Sequence, residues 1–520
     1  MASERNREPG TRRGASGNVQ IEKGLVKSGS AAELLSPEED RRIFRKIDIC
    51  LLPLMSISYM LQFLDKQALS FTSILDLPGD LHLSGDEFAW ASGIYYFGYM
   101  VAACPAAMLM VRWHVGKTIA ISICIWGVIL TVTAACDSAA GLLVERFFLG
   151  AAESAIAPGL SVIVAMWYKR SEQPLRQAAW FIGNSFAGIT GGLIAYGIGH
   201  IQSMAPWKVV FLLFGSLTVA WSICFIFLMP DTPMQAWFMN DEDRLKAVTR
   251  VRMNMTGIKS SEFKRTQCIE AFLDVKTWIL CAITFFGQVP NGALTTVSYQ
   301  LPSPHIMYLA YPELTNTKFG TIVVNGLGFS TFNSLLLQAS CYLAMLIAVL
   351  ISTAGSSYYT DTRTYWMVWN LCLATIGTAL IRELPAHLMW GRFAGKLLMT
   401  SAAANFPLTM SLSSGNVAGF TKKMTVNTAI LISFCVGNIV GPQLFFEDQA
   451  LTYTTGFLAI MVCYAVGIIL CGGARFYLVW ENRRRDGVYP PFHGNEEVDG
   501  DIAGMLDKTD KEIPQFRYVY

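Results

Sequence analysis

Charged side chains that interrupt long apolar runs are the residues of this sequence best suited to chemistry. Asp65 and Lys66 end one such run, and Arg146 and Glu153 lie within another. If these runs cross a membrane, each charge is costly to bury, which makes it a candidate for a functional site. The chemistry open to such groups is reversible binding of a proton or of a charged substrate.

The first apolar run carries a polar stripe. Ser58, Gln62 and Asp65 are spaced i, i+4 and i+7, and they are therefore expected on one face of a helix. This spacing predicts a cavity-facing site at which Asp65 binds a proton or pairs with a cation. The alternative is a structural Asp65–Lys66 pair near the outer end of the helix.

A second stripe combines charges of both signs. Arg146, Gly150 and Glu153 have the same spacing, which places Glu153 well inside the membrane. A carboxyl balanced between burial and a nearby guanidinium could exchange protons near neutral pH. The alternative is a permanent Arg146–Glu153 ion pair that fixes helix packing.

Two cations share a face of a later apolar run. Arg392 and Lys396 are spaced i, i+4, and their own run contains no acidic residue. They predict an anion site opposite Arg146. Alternatively, both side chains extend to the membrane surface while their stems stay in the apolar region.

Neutral polar residues and glycine pairs complete the candidates. Polar residues within spans more often form interhelical hydrogen bonds than contact a ligand, and small residues let helices approach closely. The polar candidates are Tyr95, Tyr96, Tyr99, Asn184, Gln288, Asn291 and Asn438, and the predicted packing glycines are Gly188, Gly192, Gly437 and Gly441.

The composition requires a membrane to hold these elements. Of the 520 residues, 53% are apolar and only 15% are charged, which excludes a mainly disordered protein and a nucleic-acid-binding protein. A spanning helix needs about 20 mostly apolar residues. The runs that satisfy this predict twelve spans at 47–66, 86–111, 117–136, 141–166, 176–200, 207–230, 276–297, 320–352, 364–381, 386–412, 424–446 and 453–478.

The polar segments define the domain organisation. We predict disordered tails at 1–40 and 487–520, six-helix bundles at 41–230 and 276–486, and a helical, amphipathic loop at 231–275 between them. Connectors on one side are basic and those on the other are acidic or neutral, which predicts that both termini and the long loop lie in the cytosol.

The sequence gives no sign of an enzyme. There is no phosphate-binding lysine motif, no metal-ligand spacing and no nucleophile elbow, and the 12 cysteines are scattered in a manner typical of small buried hydrophobes. We therefore expect neither cofactor nor metal and no nucleic-acid partner. We expect a monomer in the lipid bilayer.

Several motifs together resemble a known family, over roughly residues 40–486. They include Phe63-Leu64-Asp65-Lys66, Arg146-Phe147-Phe148-Leu149-Gly150, the stretch 167–173, the stretch 414–423 and Gly437-Asn438-Ile439-Val440-Gly441. The chain resembles fungal major facilitator transporters of the anion:cation symporter group, in the allantoate permease-like branch. The second half matches the first at an offset of six spans, as expected of two parallel repeats related by pseudo-two-fold symmetry.

The resemblance implies a function. It implies proton-linked, alternating-access uptake of a small organic anion such as an allantoate-, vitamin- or peptide-like carboxylate, with a cavity lined mainly by spans 1, 4, 7 and 10. Arg146, Arg392 or Lys396 would attract the substrate, and Asp65 or Glu153 would carry the proton. The plasma membrane is expected before the vacuole. Two alternatives are proton-driven export of a secondary metabolite and a nutrient receptor, but receptors of that kind carry a longer signalling tail.

The sequence departs from the family at three places. Leu109 and Trp113 stand where the superfamily's loop motif has Gly and Asp, and Lys396 is unexpected at its position. The segment from Val297 to Lys318 has no counterpart. Because its first and last residues can be encoded by splice-site sequences, we hypothesise an unspliced intron in the gene model. The alternative is a real outer loop, and sequencing the spliced transcript decides between them.

Overall fold

A computed structural model of the chain describes residues 36–75, 77–83, 85–201, 204–252, 262–297, 331–385, 388–444, 454–488 and 507–520. These residues are helical or form turns and connectors, and none of them is in a strand. The chain divides into two compact units, residues 1–45 and 46–520. All contacts described below lie within the second unit, apart from the first turn of the first helix.

The first half of the chain begins with a long helix and ends before the loop in the middle of the sequence. Its helices are α1 (Pro37–Ile74), α2 (Leu77–Asp80), α3 (Gly85–Arg112), α4 (Val115–Thr133), α5 (Ala139–Glu153), α6 (Ile156–Trp167), α7 (Gln173–Phe181), α8 (Gly183–Ile198) and α9 (Pro206–Leu228).

The loop in the middle of the sequence and the second half come next along the chain. The loop contains a 3₁₀ turn (Pro233–Gln235), α10 (Asp241–Arg252) and α11 (Arg265–Leu273). The second half contains α12 (Val275–Val297), α13 (Thr331–Tyr358), α14 (Arg363–Glu383), α15 (Met389–Met399), a 3₁₀ turn (Thr400–Ala404), α16 (Asn405–Asn416), α17 (Phe420–Val440), a 3₁₀ turn (Gly441–Leu444) and α18 (Thr454–Val488).

These helices confirm the predicted twelve-span, all-α architecture. Within the described ranges, ten helical stretches are long and apolar enough to cross a membrane. The remaining two passes are α12 and the α15–α16 pair, which a 3₁₀ turn interrupts. Spans 4 and 5 each consist of two helices, α5–α6 and α7–α8.

The first span starts earlier than the sequence predicts. The backbone N–H of Ser36 donates to Glu39 Oε2 and the N–H of Glu39 donates to Ser36 Oγ, both at 3.3 Å. This reciprocal capping box, with Pro37 at the first helical position, fixes the start of α1 inside the stretch 1–40 predicted to be disordered. Residues 1–35 lie outside the described part.

Prolines set the breaks in spans 4 and 10. Pro158 and Pro407 each occupy the third position of a new helix, α6 and α16. A proline ring clashes with the carbonyl four residues earlier and donates no hydrogen bond, which disrupts the helix at these two positions, although α1, α3 and α12 each continue through a proline. Glu153 is consequently the last residue of α5, directly at the break in span 4.

The prediction of a disordered tail at 487–520 is wrong for its last part. Helix α18 continues to Val488, and residues 507–520 pack against the second half. Ile513, Phe516 and Tyr518 are 2%, 0% and 3% exposed. Their burial supplies the hydrophobic stabilisation that disordered segments lack.

The segment 231–275 contains the two helices α10 and α11, as expected of a helical loop. Residues 253–261 of it lie outside the described part. The proposed insert 297–318 also lies there, apart from Val297, the last residue of α12.

Candidate functional site

A cavity of about 540 Å³ lies between the two halves. Helices α1, α3 and α8 form most of its first-half wall, and α12, α13, the α15–α16 region and α17 form its second-half wall. Span 4, predicted to be a main wall, contributes only Arg146 and Ala157. The predicted candidates with polar side chains that line the cavity are Gln62, Lys66, Tyr95, Tyr96, Tyr99, Arg146, Asn184, Gln288, Asn291 and Lys396.

The face that α1 turns to the cavity differs from the predicted stripe. Gln62 and Lys66 are four residues apart, so they point within about 40° of each other, whereas Asp65 points about 60° away from Gln62. The cavity face of α1 therefore continues from Gln62 to Lys66. The side chains of Ser58 and Asp65 point into the interior of the first half.

Asp65 is buried within the first half, and the prediction that it faces the cavity is wrong. Its Oδ2 accepts hydrogen bonds from Trp126 Nε1 at 2.5 Å and from Thr218 Oγ1 at 3.3 Å. Asp65 therefore ties α1 to α4 and α9. The alternative Asp65–Lys66 ion pair is also not formed among the described residues.

Two lysines give the cavity a positive charge. Lys66 Nζ lies 5.0 Å from the ring centre of Tyr96 and 5.9 Å from that of Phe434, one ring from each half. Lys396 approaches from α15. In the part of the chain that the structure describes, neither lysine forms an ion pair with a carboxylate. Cation–π contact only partly replaces the hydration that a buried ammonium loses.

Arg146 and Glu153 do not pair with each other. Arg146 Nε lies 3.5 Å from Glu145 Oε2, and its guanidinium lies 5.4 Å from the ring centre of Phe211. The Tyr95 hydroxyl donates to Glu153 Oε2 at 2.6 Å. Seven helical residues separate the two charges by about 10 Å along the axis. The alternative of a permanent Arg146–Glu153 pair is therefore not what the geometry shows.

Glu153 lies directly behind the cavity wall. Its carboxyl is fully buried, and Tyr95, which donates to it, is a lining residue. Its Oε1 accepts no hydrogen bond from the described residues. Glu153 is thus one side chain away from the cavity, with one carboxyl oxygen open to carry a proton.

Arg392, the fourth predicted cation, has a structural contact. Its Nε donates to the backbone carbonyl of Ile381 in α14 at 3.1 Å, and it is not a lining residue. It therefore joins α15 to α14. The predicted pair of cations on one face reduces to Lys396 alone, because the hydrogen bond to Ile381 holds Arg392 against α14.

Amide side chains connect the halves beside the lysines. The Tyr96 hydroxyl donates to Asn438 Oδ1 at 3.2 Å, and Asn291 Nδ2 donates to the same oxygen at 3.1 Å. Asn291 Nδ2 also lies 3.1 Å from Gln288 Oε1. Tyr99 lines the cavity and accepts from Gln62 Nε2 at 3.5 Å. The wall thus presents amide and hydroxyl groups that can exchange these bonds for bonds to a ligand.

The glycine pairs have different surroundings. A Cβ on Gly437 would lie 2.9 Å from Phe285 O, and one on Gly441 would lie 2.3 Å from Val289 O, so this pair brings α17 and the turn that follows it against α12. A Cβ on Gly188 would lie 2.3 Å from the Tyr342 ring of the other half. Gly188 and Gly192 also line the cavity, a position that the expectation of simple packing does not include.

Sequence reasoning missed part of the wall. Gln67 Nε2 donates to the Tyr342 hydroxyl at 2.6 Å, which joins α1 to α13 across the cavity, and Tyr59 and Phe434 also line it. Tyr342 is the only aromatic residue between Phe332 and Tyr358, a signal that could have identified it. No periodicity distinguishes Phe434 from a core phenylalanine.

Comparison with known proteins identifies the architecture. The model of the Major Facilitator Superfamily matches residues 55–442. An uncharacterized transporter of Schizosaccharomyces pombe is 33% identical over 93% of this chain and 86% of its own length. The allantoate permease of Saccharomyces cerevisiae is 31% identical over 96% of this chain and 90% of its own length.

A solved structure shows the same fold. The proton:xylose symporter XylE superposes with a TM-score of 0.61 at 12% identity, covering 81% of this chain and 94% of XylE. At that identity the likeness is one of fold. Together with the family match over most of the sequence, it shows that this chain is a membrane transporter of the major facilitator superfamily.

Proposed function

We propose that this transporter takes up a small organic anion together with protons, by alternating access of the central cavity. One observation carries the proposal. Of the described residues that line the cavity, three are cations, Lys66, Arg146 and Lys396, and none is acidic. The substrate therefore supplies the negative charge that the cavity lacks.

The electrostatics of the cavity favour a carboxylate over a neutral solute. An ammonium group removed from water without a counter-ion is unfavourable, and a bound carboxylate supplies both charge and hydrogen-bond acceptors. The charge of Arg146 is partly compensated by Glu145, and that of Lys66 is partly compensated by the more distant Glu153. A bound carboxylate therefore stabilises Lys396 most, and it stabilises Lys66 more strongly once Glu153 is protonated. The two lysines belong to different halves, and one anion between them would connect the halves.

The neutral part of the wall suits a molecule with amide groups. Gln288, Asn291 and Asn184 line the cavity together with aromatic rings. A volume of about 540 Å³ is in the range of small-ligand sites. Allantoate-, vitamin- and peptide-like carboxylates combine these features, and a relative that covers nearly the whole chain is named allantoate permease.

Glu153 is the proposed proton carrier. The ionised carboxylate has one oxygen without a donor among the described residues, which favours uptake of a proton when the cavity opens to an acidic medium. Tyr95 joins it to the cavity. Protonation removes one negative charge beside the site, so the state with both proton and anion bound is the one suited to reorientation.

The distribution of basic connectors supports an orientation of the transporter in the membrane. Arg112 and Lys117 flank the connector between α3 and α4, Lys169 and Arg170 lie between α6 and α7, and the loop 231–275 lies on the same side. Positive connectors face the cytosol. We propose that this face is cytosolic and that the plasma membrane is the site of uptake.

Uptake of labelled compounds by permease-deficient yeast that express the chain tests the proposal. Allantoate, nicotinate and a dipeptide are supplied at external pH 5 and 7.5, with and without a protonophore. We expect uptake of at least one of them to be greater at pH 5 and to be abolished by the protonophore. Lys66→Gln and Lys396→Gln should each lower uptake at low substrate concentration about tenfold or more.

The matched control is Lys246→Gln, which removes the same charge from α10, outside the cavity. Variants are compared at equal surface abundance. Full uptake by both cavity variants would contradict the anion site. Lower cellular accumulation in cells that express the chain, with resistance to the compound, would instead establish export.

A further inference from the structure

Residues 507–520, here called the C-terminal strap, are packed on the face that carries the basic connectors. Ile513, Phe516 and Tyr518 of the strap form one buried cluster with Ala418 and Leu478 of the second half. Phe516 is fully buried. The strap is therefore part of the folded second half, and neither the cavity nor the proposed transport chemistry accounts for it.

A buried charge anchors the strap. Asp510 is fully buried, its Oδ1 lies 2.7 Å from Lys422 Nζ, and its Oδ2 accepts from Lys276. The Tyr518 hydroxyl also donates to Oδ2, at 2.8 Å. Although burial favours the neutral acid, the ammonium groups of Lys276 and Lys422 hold the pKa of Asp510 well below its usual range.

Backbone groups of the strap are held by side chains of the second half. Arg485 Nη1 donates to the carbonyls of Asp510, Ile513 and Phe516 at 2.9, 3.3 and 3.2 Å. The side chain of Asn482 bonds both the N–H and the carbonyl of Tyr518, each at 2.8 Å. The strap thus moves with the second half.

The first half reaches the strap through Arg170, in the connector between α6 and α7. Arg170 Nη1 donates to the carbonyl of Arg517 at 2.9 Å, and its guanidinium lies 4.1 Å from the ring centre of Phe516. Nearby, the Ser414 hydroxyl donates to Gln173 Oε1 at 2.9 Å, directly between the halves. Arg170 therefore occupies a socket that the strap builds on the second half.

We propose that the C-terminal strap is a latch that receives Arg170 and stabilises the state of the transporter closed on this face. Alternating access requires the two halves to separate here, and the Arg170 contacts then have to break. The strap remains on the second half, since Asp510 and Arg485 hold it there. The latch goes beyond the proposed function and uses from it only the cytosolic assignment of this face.

The reactivity of a cysteine at the closed face tests the latch. Ser414→Cys is introduced because Ser414 is fully buried at the contact between the halves. Its modification by an impermeant maleimide is followed in inside-out vesicles, after subtraction of the rate of the same protein without this cysteine. Right-side-out vesicles are measured in parallel, which reveals the orientation independently of any substrate.

Phe516→Ala and deletion of 507–520 should each accelerate labelling about tenfold, because the Arg170 socket is lost. Lys511→Ala, an exposed change within the strap, should leave the rate unchanged. If the deletion variant does not fold, the labelling rates of the Phe516→Ala and Arg170→Gln variants still test the latch. Unchanged labelling in a folded Phe516→Ala variant would overturn the latch. Acceleration only in right-side-out vesicles would keep the latch and reverse the proposed orientation.

Discussion

Glu153 and Asp65 are both fully buried carboxyls of the first half, but their surroundings differ. Trp126 and Thr218 donate to Asp65, and all three belong to spans of the same half. Glu153 lies at the break that Pro158 introduces into span 4 and bonds a residue of the cavity wall. At the scale of single residues, this assigns a structural role to Asp65 and the coupling role to Glu153.

Glu153→Gln should abolish the dependence of uptake on external pH. Glutamine keeps the size of the side chain and can accept from Tyr95, but it does not take up a proton in this range. We expect similar uptake at pH 5 and 7.5, without accumulation against a gradient. Asp65→Asn is the comparison, and it should retain the pH dependence in whatever protein folds. Full pH-dependent uptake by Glu153→Gln would remove Glu153 from the mechanism.

Among the predicted site residues, the lysines that line the cavity are those whose residue type alone was informative. The ammonium group of a lysine in an apolar run, such as Lys66 or Lys396, is expected either in a cavity or at the membrane surface. Residue type does not decide which of two neighbouring cations on one helix faces the cavity. Arg392 and Lys396 share a broad helix face, yet Arg392 contacts α14 and Lys396 lines the cavity. Periodicity gives the angle between two side chains, whereas the identity of the facing helix comes from tertiary packing.

At the scale of elements, glycines bring α12 into close contact with α17 and with the 3₁₀ turn that follows it. A Cβ on Gly292 would lie 2.6 Å from Asn438 Cα, and one on Gly441 would meet the α12 backbone at 2.3 Å. Asn438 and Asn291 on these helices share a hydrogen bond beside the cavity. The distance between the two helices therefore sets the geometry of the amide network.

Gly441→Ala should destabilise the transporter. The added methyl group meets backbone that cannot move alone, and overpacking of this kind costs about 1–3 kcal/mol. Thermal unfolding of purified protein in detergent measures the effect. Gly473→Ala on α18 is the matched control, because its Cβ would meet nothing within 4 Å, and alanine favours a helix by up to about 1 kcal/mol. Equal stability of Gly441→Ala and the unmodified protein would show that the helices can separate at little cost.

The elements themselves were largely predictable, and their ends less so. Apolar length defined the twelve spans because the bilayer sets that length. The start of α1 depended on a Ser36–Glu39 capping box, and the order of 507–520 depended on Asp510 meeting Lys276 and Lys422. The second is a contact between residues distant in sequence. The polar composition of the tail predicted disorder because composition does not show that the tail meets complementary charges elsewhere in the fold.

At the scale of the whole molecule, several contacts among the described residues hold the halves together on the proposed cytosolic face. They include the Arg170 socket on the strap, the hydrogen bond from Arg363 Nη2 to the Arg170 carbonyl, and the direct Gln173–Ser414 contact. Both residues of the direct contact are fully buried. The cavity lies on the other side of this closed region, bounded by Tyr59, Phe181 and Phe406 among others. A transporter that alternates has to open this contact once in each cycle.

A covalent link at this contact should therefore stop transport. With Gln173→Cys and Ser414→Cys together, we expect a short, reducible bifunctional thiol cross-linker to abolish uptake and a reductant to restore it, because the linked halves can no longer separate. The control is the pair Ser413→Cys and Asn427→Cys, whose side chains bond at 2.7 Å within the second half. Treatment of this pair with the same cross-linker should leave uptake unchanged, since the second half moves as a rigid body. Sustained uptake by the fully cross-linked Gln173–Ser414 pair would rule out opening of this face as a step in transport.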